Sequence, residues 1–145
     1  MNTSRLAQDY GWTLVFIAWL VATVSTLAAL FLGEVMGYTP CVLCWYQRIC
    51  MFPLVLILGA GLFPFDRNVV RYALPLALAG WLLAVFHWAV ASGLVPESAT
   101  PCSQGVPCSV ELISWFGFLT LPLLSVLAFS TLIALLLLTH FKVPK

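Results

Sequence analysis

The sequence predicts an all-α membrane protein, a four-transmembrane-helix bundle, and three observations support this fold class. Hydrophobic residues make up 63% of the 145-residue chain and charged residues only 8%, whereas soluble domains carry about 25% charged residues. Four apolar segments are each long enough to cross a hydrocarbon core of about 30 Å, which needs about 20 helical residues. Lysine and arginine are confined to alternate loops and the chain ends, apart from Arg48. Helices are expected because each satisfies its own backbone hydrogen bonds in lipid.

The four predicted helices belong to one membrane domain over residues 1–145. They cover residues 12–32, 41–63, 72–95 and 113–138. The first is too long for a typical signal-peptide core, so we expect an uncleaved anchor. Pro53, Pro75 and Pro122 lie in the later segments and predict kinks or late helix starts, which neighbouring helices tolerate. The net charge of +1 gives no reason to expect nucleic acid as a partner.

The charges in the loops predict how the bundle crosses the membrane. The N-terminus, the second loop and the C-terminus carry Arg5, Arg67, Arg71, Lys142 and Lys145. The first and third loops hold no basic residue and carry Glu34, Glu97 and Glu111. By the positive-inside rule both termini are cytoplasmic, and the first and third loops lie outside the cytoplasm.

Four of the five cysteines fall on the predicted outer side. Cys41 and Cys44 lie at the start of the second segment, and Cys102 and Cys108 lie in the third loop. Disulfides persist in an oxidising extracytoplasmic compartment. Cys50 lies deeper in the second segment and on another face, so we expect an inert, buried thiol.

The first cysteine pair has the spacing of a redox site. Pro40 favours a helix start, so both cysteines are expected in the first turn, where free N–H groups and the helix dipole favour a thiolate. Arg48 follows Cys44 by four residues and shares its face. The helix start and the charge of Arg48 together are predicted to lower a thiol pKa to about 7 or below, although snorkelling to the headgroups also explains an arginine here. Structural zinc and two inert structural disulfides remain alternatives to redox exchange.

The second pair lies in the sequence PCSQGVPCS, residues 101–109. Gly105 and Pro107 are turn residues, so a Cys102–Cys108 disulfide is geometrically easy. We expect this disulfide to be exposed to a partner protein, as labile catalytic disulfides tend to be. Four cysteines allow three pairings, and an exchange enzyme visits pairings both within and between the two loops.

Four stretches together resemble the DsbB/BdbC family of membrane disulfide-bond formation proteins. They are CVLCWYQR (41–48), AVFHW (84–88), PCSQGVPCS (101–109) and WFGFLTLPLLS (115–125). The resemblance covers essentially the whole chain. Only five residues separate the second pair, as in the short, BdbC-like members of the family, whereas longer members separate it widely.

The resemblance implies a protein dithiol:quinone oxidoreductase in the bacterial cytoplasmic (inner) membrane. It would reoxidise a DsbA-type thioredoxin-fold oxidase and pass the electrons to ubiquinone or menaquinone, supporting disulfide bond formation in exported proteins. The implied redox-active disulfides are Cys41–Cys44 and Cys102–Cys108, and no metal is expected. Cys102 would form the mixed disulfide with the partner, Cys108 would pass electrons to Cys41, and Cys44 would lie nearest the quinone. Arg48 would hold the quinone.

Three further residues near these motifs are also considered. His87 is expected either to relay a proton for quinone reduction or to be a hydrogen-bonded packing residue. Trp45 is expected to be an interface anchor or to flank the quinone ring. Gln47 occupies a position that is acidic in some members of the family and is assigned no role.

Three other functions are weighed against this one. An enzyme of the vitamin K epoxide reductase type uses similar chemistry but a different cysteine layout. A conductor of reducing power from the cytoplasm needs a thiol pair on that side, where Cys50 stands alone. A non-enzymatic membrane scaffold would hold structural disulfides or zinc.

Overall fold

The four-helix membrane bundle predicted from the sequence is confirmed. The computed structural model describes residues 3–96, 98, 100, 102, 106–108, 114–115 and 119–142. In this part of the chain the helices are α1 (Thr3–Leu30), which continues as a π-helical turn (Phe31–Val35), α2 (Val42–Ala60), α3 (Val69–Ala91) and α4 (Leu121–Lys142). All four are long and apolar enough to cross a membrane. Glu97, Glu111 and Lys145, which contribute to the predicted orientation, lie outside the described residues.

The helix ends differ from the predicted ones for local reasons. Helix α1 begins at Thr3 rather than at residue 12, because the polar N-terminal residues extend the helix beyond its apolar part. Helix α3 ends at Ala91 rather than at residue 95. There Gly93 adopts φ +75°, and the amides of Gly93 and Leu94 donate to the carbonyls of Val90 and Ala89. This is the Schellman arrangement that ends many helices.

Helix α4 begins at Leu121, later than the predicted start at residue 113, which lies outside the described residues. Two short strands, β1 (Ser114–Trp115) and β2 (Leu119–Thr120), pair antiparallel just before the helix. Pro122 then lies in the first helical turn, where its missing N–H has no intrahelical partner to lose. The described residues Ser114–Trp115 and Leu119–Thr120 are therefore paired strands that precede the helix rather than part of it.

The helices pack in a ring in which α1 and α3 each contact both α2 and α4. Small residues line much of the interior, as is usual where membrane helices approach closely. The fully buried positions include Ala18 and Ala22 on α1, Leu54 and Leu58 on α2, Ala73 and Ala77 on α3, and Leu132 and Leu136 on α4. The closest approach described for a glycine joins α3 to α4, where Gly80 faces the ring of Phe129.

The succession of antiparallel helices places the two cysteine pairs at one end of the bundle. The end of α1, the start of α2, the end of α3 and the start of α4 meet there, and this region is called the cysteine end below. At the opposite end the side chain of Arg67, in the turn between α2 and α3, donates to the backbone carbonyl of His140 on α4. The predicted direction of the bundle across the membrane stays a prediction.

Candidate redox site

Cys41 is the N-cap of α2 rather than a residue of its first turn. Its backbone is extended, with φ −70° and ψ 170°, and its sulfur accepts a hydrogen bond from the backbone N–H of Cys44 at 3.4 Å. Cys44 lies within the first helical turn, as predicted. Free N–H groups at a helix start favour a negatively charged acceptor, so the cap position supports a thiolate on Cys41.

The sulfur of Cys41 lies close to two further side chains. The Sγ atoms of Cys41 and Cys44 are 3.2 Å apart, and Nε2 of His87 lies 3.7 Å from Cys41 Sγ. Cys41 and Cys44 are free thiols here, whereas the resemblance implies that they also form a disulfide. A hydrogen bond from the Cys44 thiol, supplemented by His87 and the Cys44 N–H, holds the pKa of Cys41 well below its ordinary value despite burial. The sequence interpretation gave this role to the helix start, which contributes through the Cys44 N–H, and to Arg48, which is not among the causes of the lowered pKa of Cys41.

A chain of hydrogen bonds extends from His87 to a third helix. The amide nitrogen of Gln47 lies 3.0 Å from Nδ1 of His87, and the hydroxyl of Ser125 on α4 donates to the amide oxygen of Gln47 at 2.7 Å. Gln47 and His87 are both buried, at 7% and 4% exposed. The chain therefore joins α4, α2 and α3 to the sulfur of Cys41.

Arg48 is held by two contacts at the wall of the bundle. Its Nη2 donates to the carbonyl oxygen of Ala29 on α1 at 2.7 Å. Its guanidinium carbon lies 5.3 Å from the ring centre of Trp45, within cation–π distance. The contact with α1 falls beside the π-helical turn, a feature common at functional sites.

A cavity of about 470 Å³ lies beside Cys44, between α1, α2 and α4, with His87 of α3 also on its wall. Its lining is mostly apolar, and its polar side chains include Cys44, Gln47, Arg48, His87 and Ser125. Cavities of about 300–1,000 Å³ with few polar groups are typical of cofactor and small-molecule sites. Trp45 is 51% exposed and lies behind Arg48 rather than on the cavity wall.

The second pair forms the predicted disulfide between Cys102 and Cys108. Its predicted exposure is wrong, because the two residues are only 2% and 3% exposed. They pack in one buried cluster with Cys41, Leu43 and Val90. This packing removes the disulfide from solvent and brings it next to the first pair.

The site offers a metal ion three atoms. The sulfurs of Cys41 and Cys44 and a ring nitrogen of His87 lie within 4.8 Å of one another, and Cys102 and Cys108 are bonded to each other. A closed structural zinc site takes four ligands. A neutral imidazole binds metal through its unprotonated nitrogen, and the contact with Gln47 occupies Nδ1 as an acceptor. This arrangement fits a hydrogen-bonded cysteine pair better than a structural zinc site.

Comparison with known proteins identifies the family of this arrangement. A family model described as disulfide bond formation protein DsbB matches residues 11–139. The chain belongs to the DsbB family. Its predicted role as a membrane protein of disulfide bond formation, with oxidoreductase chemistry, is thereby confirmed at the level of the family.

Curated relatives of this DsbB-family chain carry consistent names. A "probable disulfide formation protein" of Metapseudomonas resinovorans is 49% identical over 127 residues, which cover 87% of this chain and 88% of the relative. "Disulfide bond formation protein C" of Bacillus subtilis (strain 168) is 42% identical over 119 residues, which cover 82% and 86%. No solved structure gives a significant match.

The structure brings together most of the residues that the sequence singled out. Cys41, Cys44 and His87 are neighbours, and Arg48 shares the cavity with Cys44. Sequence reasoning missed the contribution of Gln47 and Ser125. The available signal was a carboxamide within an apolar helix, which requires a hydrogen-bonding partner when it is buried.

Proposed function

We propose that this DsbB-family protein oxidises the dithiol of a DsbA-type thioredoxin-fold oxidase and delivers the electrons to a membrane quinone. The partner's two thiols lose two electrons and two protons and form one disulfide, while one quinone becomes one quinol. A DsbA–DsbB–quinone chain of this kind keeps the bacterial periplasm oxidising. The main support is the position of Cys44, which contacts Cys41 on one side and lines the cavity on the other.

The lining of the cavity fits a quinone, either ubiquinone or menaquinone. Apolar side chains from three helices suit the ring and the isoprenoid tail, and the carbonyl oxygens of the ring require hydrogen-bond donors. Arg48 donates one hydrogen bond to Ala29 and has further N–H groups for an acceptor in the cavity. When bound, the quinone supplies an acceptor for two electrons and two protons.

The cysteines of the chain carry the electrons from the partner to the cavity. Cys102 forms the mixed disulfide with the partner, and Cys108 exchanges with Cys41, with which it shares a buried cluster. Each exchange forms one S–S bond, breaks another and releases a thiolate. Because Cys102 and Cys108 are both buried, Cys102 has to become exposed before the partner can reach it.

The remaining residues have supporting roles. His87 lies between Cys41 and the cavity, where it stabilises the thiolate and offers a proton route to the quinone. Trp45 supports Arg48 from outside the cavity. The protein resides in the bacterial cytoplasmic (inner) membrane with both termini in the cytoplasm, so that the cysteine end faces the extracytoplasmic side.

Reconstitution with the two substrates tests this function. The protein is purified in detergent, reduced DsbA-type partner and a quinone are added, and quinol formation is followed. Cys41→Ser and Cys44→Ser should abolish turnover, and Cys102→Ala should prevent oxidation of the partner. Full activity in any of these variants contradicts the route.

The same assay tests the quinone contact. Arg48→His should raise the quinone KM, because the new side chain is shorter and does not keep a fixed charge at neutral pH. Cys50→Ala is the matched control on the same helix and should leave KM unchanged. Equal KM values for the wild type and Arg48→His contradict the role of the arginine.

A further inference from the structure

Gln47 is a buried polar residue to which the sequence assigns no role. Its amide nitrogen contacts Nδ1 of His87 at 3.0 Å, and its amide oxygen accepts from the hydroxyl of Ser125 at 2.7 Å. An unpartnered buried amide is destabilising, so these two contacts explain how the bundle tolerates Gln47. The direction of the two hydrogen bonds also constrains which ring nitrogen of His87 carries the proton.

The chemistry of the amide determines which nitrogen of His87 carries the proton. A carboxamide nitrogen is a donor and has no acceptor capacity. Because it faces Nδ1, this ring nitrogen has to be the unprotonated acceptor, and a neutral ring then carries its proton on Nε2. The hydroxyl of Ser125 donates to the amide oxygen, so this orientation of the amide satisfies its oxygen as well as its nitrogen.

The proton on Nε2 points at a reactive atom. Nε2 lies 3.7 Å from the sulfur of Cys41, within the reach of a hydrogen bond to sulfur. Cys41 Sγ also accepts the N–H of Cys44 at 3.4 Å, so two N–H groups converge on it. With the opposite tautomer, a lone pair of Nε2 would face a thiolate and oppose its charge.

We propose that Gln47 is a positioning residue, pinned by Ser125, that fixes the tautomer of His87 so that its Nε2–H is directed at the sulfur of Cys41. The value of this arrangement for turnover rests on the proposed function, in which exchange with the neighbouring disulfide consumes or releases the Cys41 thiolate. The tautomer itself belongs to the state in which Cys41 and Cys44 are free thiols and is measured without partner or quinone. Failure of the tautomer is therefore distinguishable from failure of the dithiol:quinone activity.

The decisive experiment is nitrogen NMR of the reduced protein labelled with ¹⁵N-histidine in detergent micelles. The chain has two histidines, and His140→Gln leaves only the signals of His87. At a pH where His87 is neutral, the expected spectrum shows Nε2 with the shift of a protonated ring nitrogen and Nδ1 with that of an unprotonated one. A proton on Nδ1 in the neutral ring overturns the proposal.

Two variants of Gln47 test the cause. Gln47→Glu keeps the size of the side chain but replaces the donor with an acceptor, so Nδ1 should gain a proton. Gln47→Leu removes both contacts and should leave a mixture of tautomers. If the ring in either variant keeps the wild-type pattern of a protonated Nε2 and an unprotonated Nδ1, Gln47 does not set it.

Reactivity provides a second readout. At a fixed pH on the rising part of its profile, the alkylation rate of Cys41, assigned by mass mapping, should fall about 3- to 10-fold in Gln47→Leu, the loss expected for one weakened hydrogen bond. Ser125→Ala keeps the amide of Gln47, so the alkylation rate of Cys41 should fall less in this variant than in Gln47→Leu. An unchanged rate in Gln47→Leu contradicts the effect on the thiolate, and its NMR spectrum shows independently whether the fold is intact.

Discussion

The close contact between α3 and α4 allows a quantitative test of the packing that shapes the cavity. In Gly80→Ala the new Cβ would stand 2.2 Å from Cε1 and 2.3 Å from Cζ of Phe129. Carbon atoms pack at about 3.5–4.0 Å, so the ring has to retreat by more than about 1 Å. Phe129 is 1% exposed and lines the cavity, so the cavity is the space available to it.

Two opposing effects determine how Gly80→Ala changes the free energy of unfolding. Overpacking a buried site costs about 1–3 kcal/mol, and a contact this short belongs at the upper end. Alanine gains about 1 kcal/mol over glycine as a helix former. We therefore expect Gly80→Ala to lower the free energy of unfolding by about 2 kcal/mol, with loss of cavity volume.

Unfolding in mixed micelles at increasing fractions of SDS, followed by tryptophan fluorescence, measures this cost. The matched control is Gly59→Ala, whose Cβ would lie 3.1 Å from Nε1 of Trp19 and needs only a small shift of a side-chain end. Phe129→Leu should recover part of the loss in a double-mutant cycle. Equal stability of Gly80→Ala and Gly59→Ala would refute the packing described here.

Three further predictions concern the cysteine end. The Cys44 thiol and His87 lower the pKa of Cys41. The alkylation rate of Cys41 should therefore stay high as the pH falls below the ordinary cysteine pKa of about 8.5, and it should decline only when the pH falls through the lowered pKa. His87→Ala should move this midpoint upward, and a wild-type midpoint at the ordinary value would be inconsistent with the geometry. In Gly33→Ala the new Cβ would lie 3.1 Å from Nη2 of Arg48 and should raise the quinone KM several-fold with a smaller change in kcat; an unchanged KM would argue against the contact. Because both cysteines of the Cys102–Cys108 disulfide are buried, a water-soluble phosphine should reduce it much more slowly in the folded protein than in SDS-unfolded protein, as read by alkylation and mass analysis, and similar rates would show that it is accessible.

Hydropathy and charge predict the four-helix architecture because they indicate whether each segment is surrounded by lipid or by water. They do not distinguish a membrane helix from an apolar hairpin next to it, since both are rich in large hydrophobic residues. The start of α4 at Leu121 depends on strand pairing that brings Ser114 opposite Thr120. Such pairing has no signature in a hydropathy average.

Features of the site that depend on residues close in sequence can be predicted, whereas contacts between residues on different helices cannot. The Cys41–Cys44 spacing and the helix start are local, so the reactive pair is readable from the sequence. The Ser125–Gln47 contact spans 78 residues, and no periodicity links two residues on different helices. The burial of the Cys102–Cys108 disulfide likewise depends on packing against α2 and α3, whereas the polar composition of its loop suggests exposure.

The most direct test of the proposed electron route is the stoichiometry over many turnovers, with partner and quinone in large excess over the protein so that electrons held on its own cysteines do not alter the ratio. Protein, reduced DsbA-type partner and quinone are mixed anaerobically, and partner disulfide and quinol are counted in the same sample. Two thiols release the two electrons that one quinone accepts, so the expected ratio is one quinol for each partner disulfide. Partner disulfide formed without quinol would contradict the account.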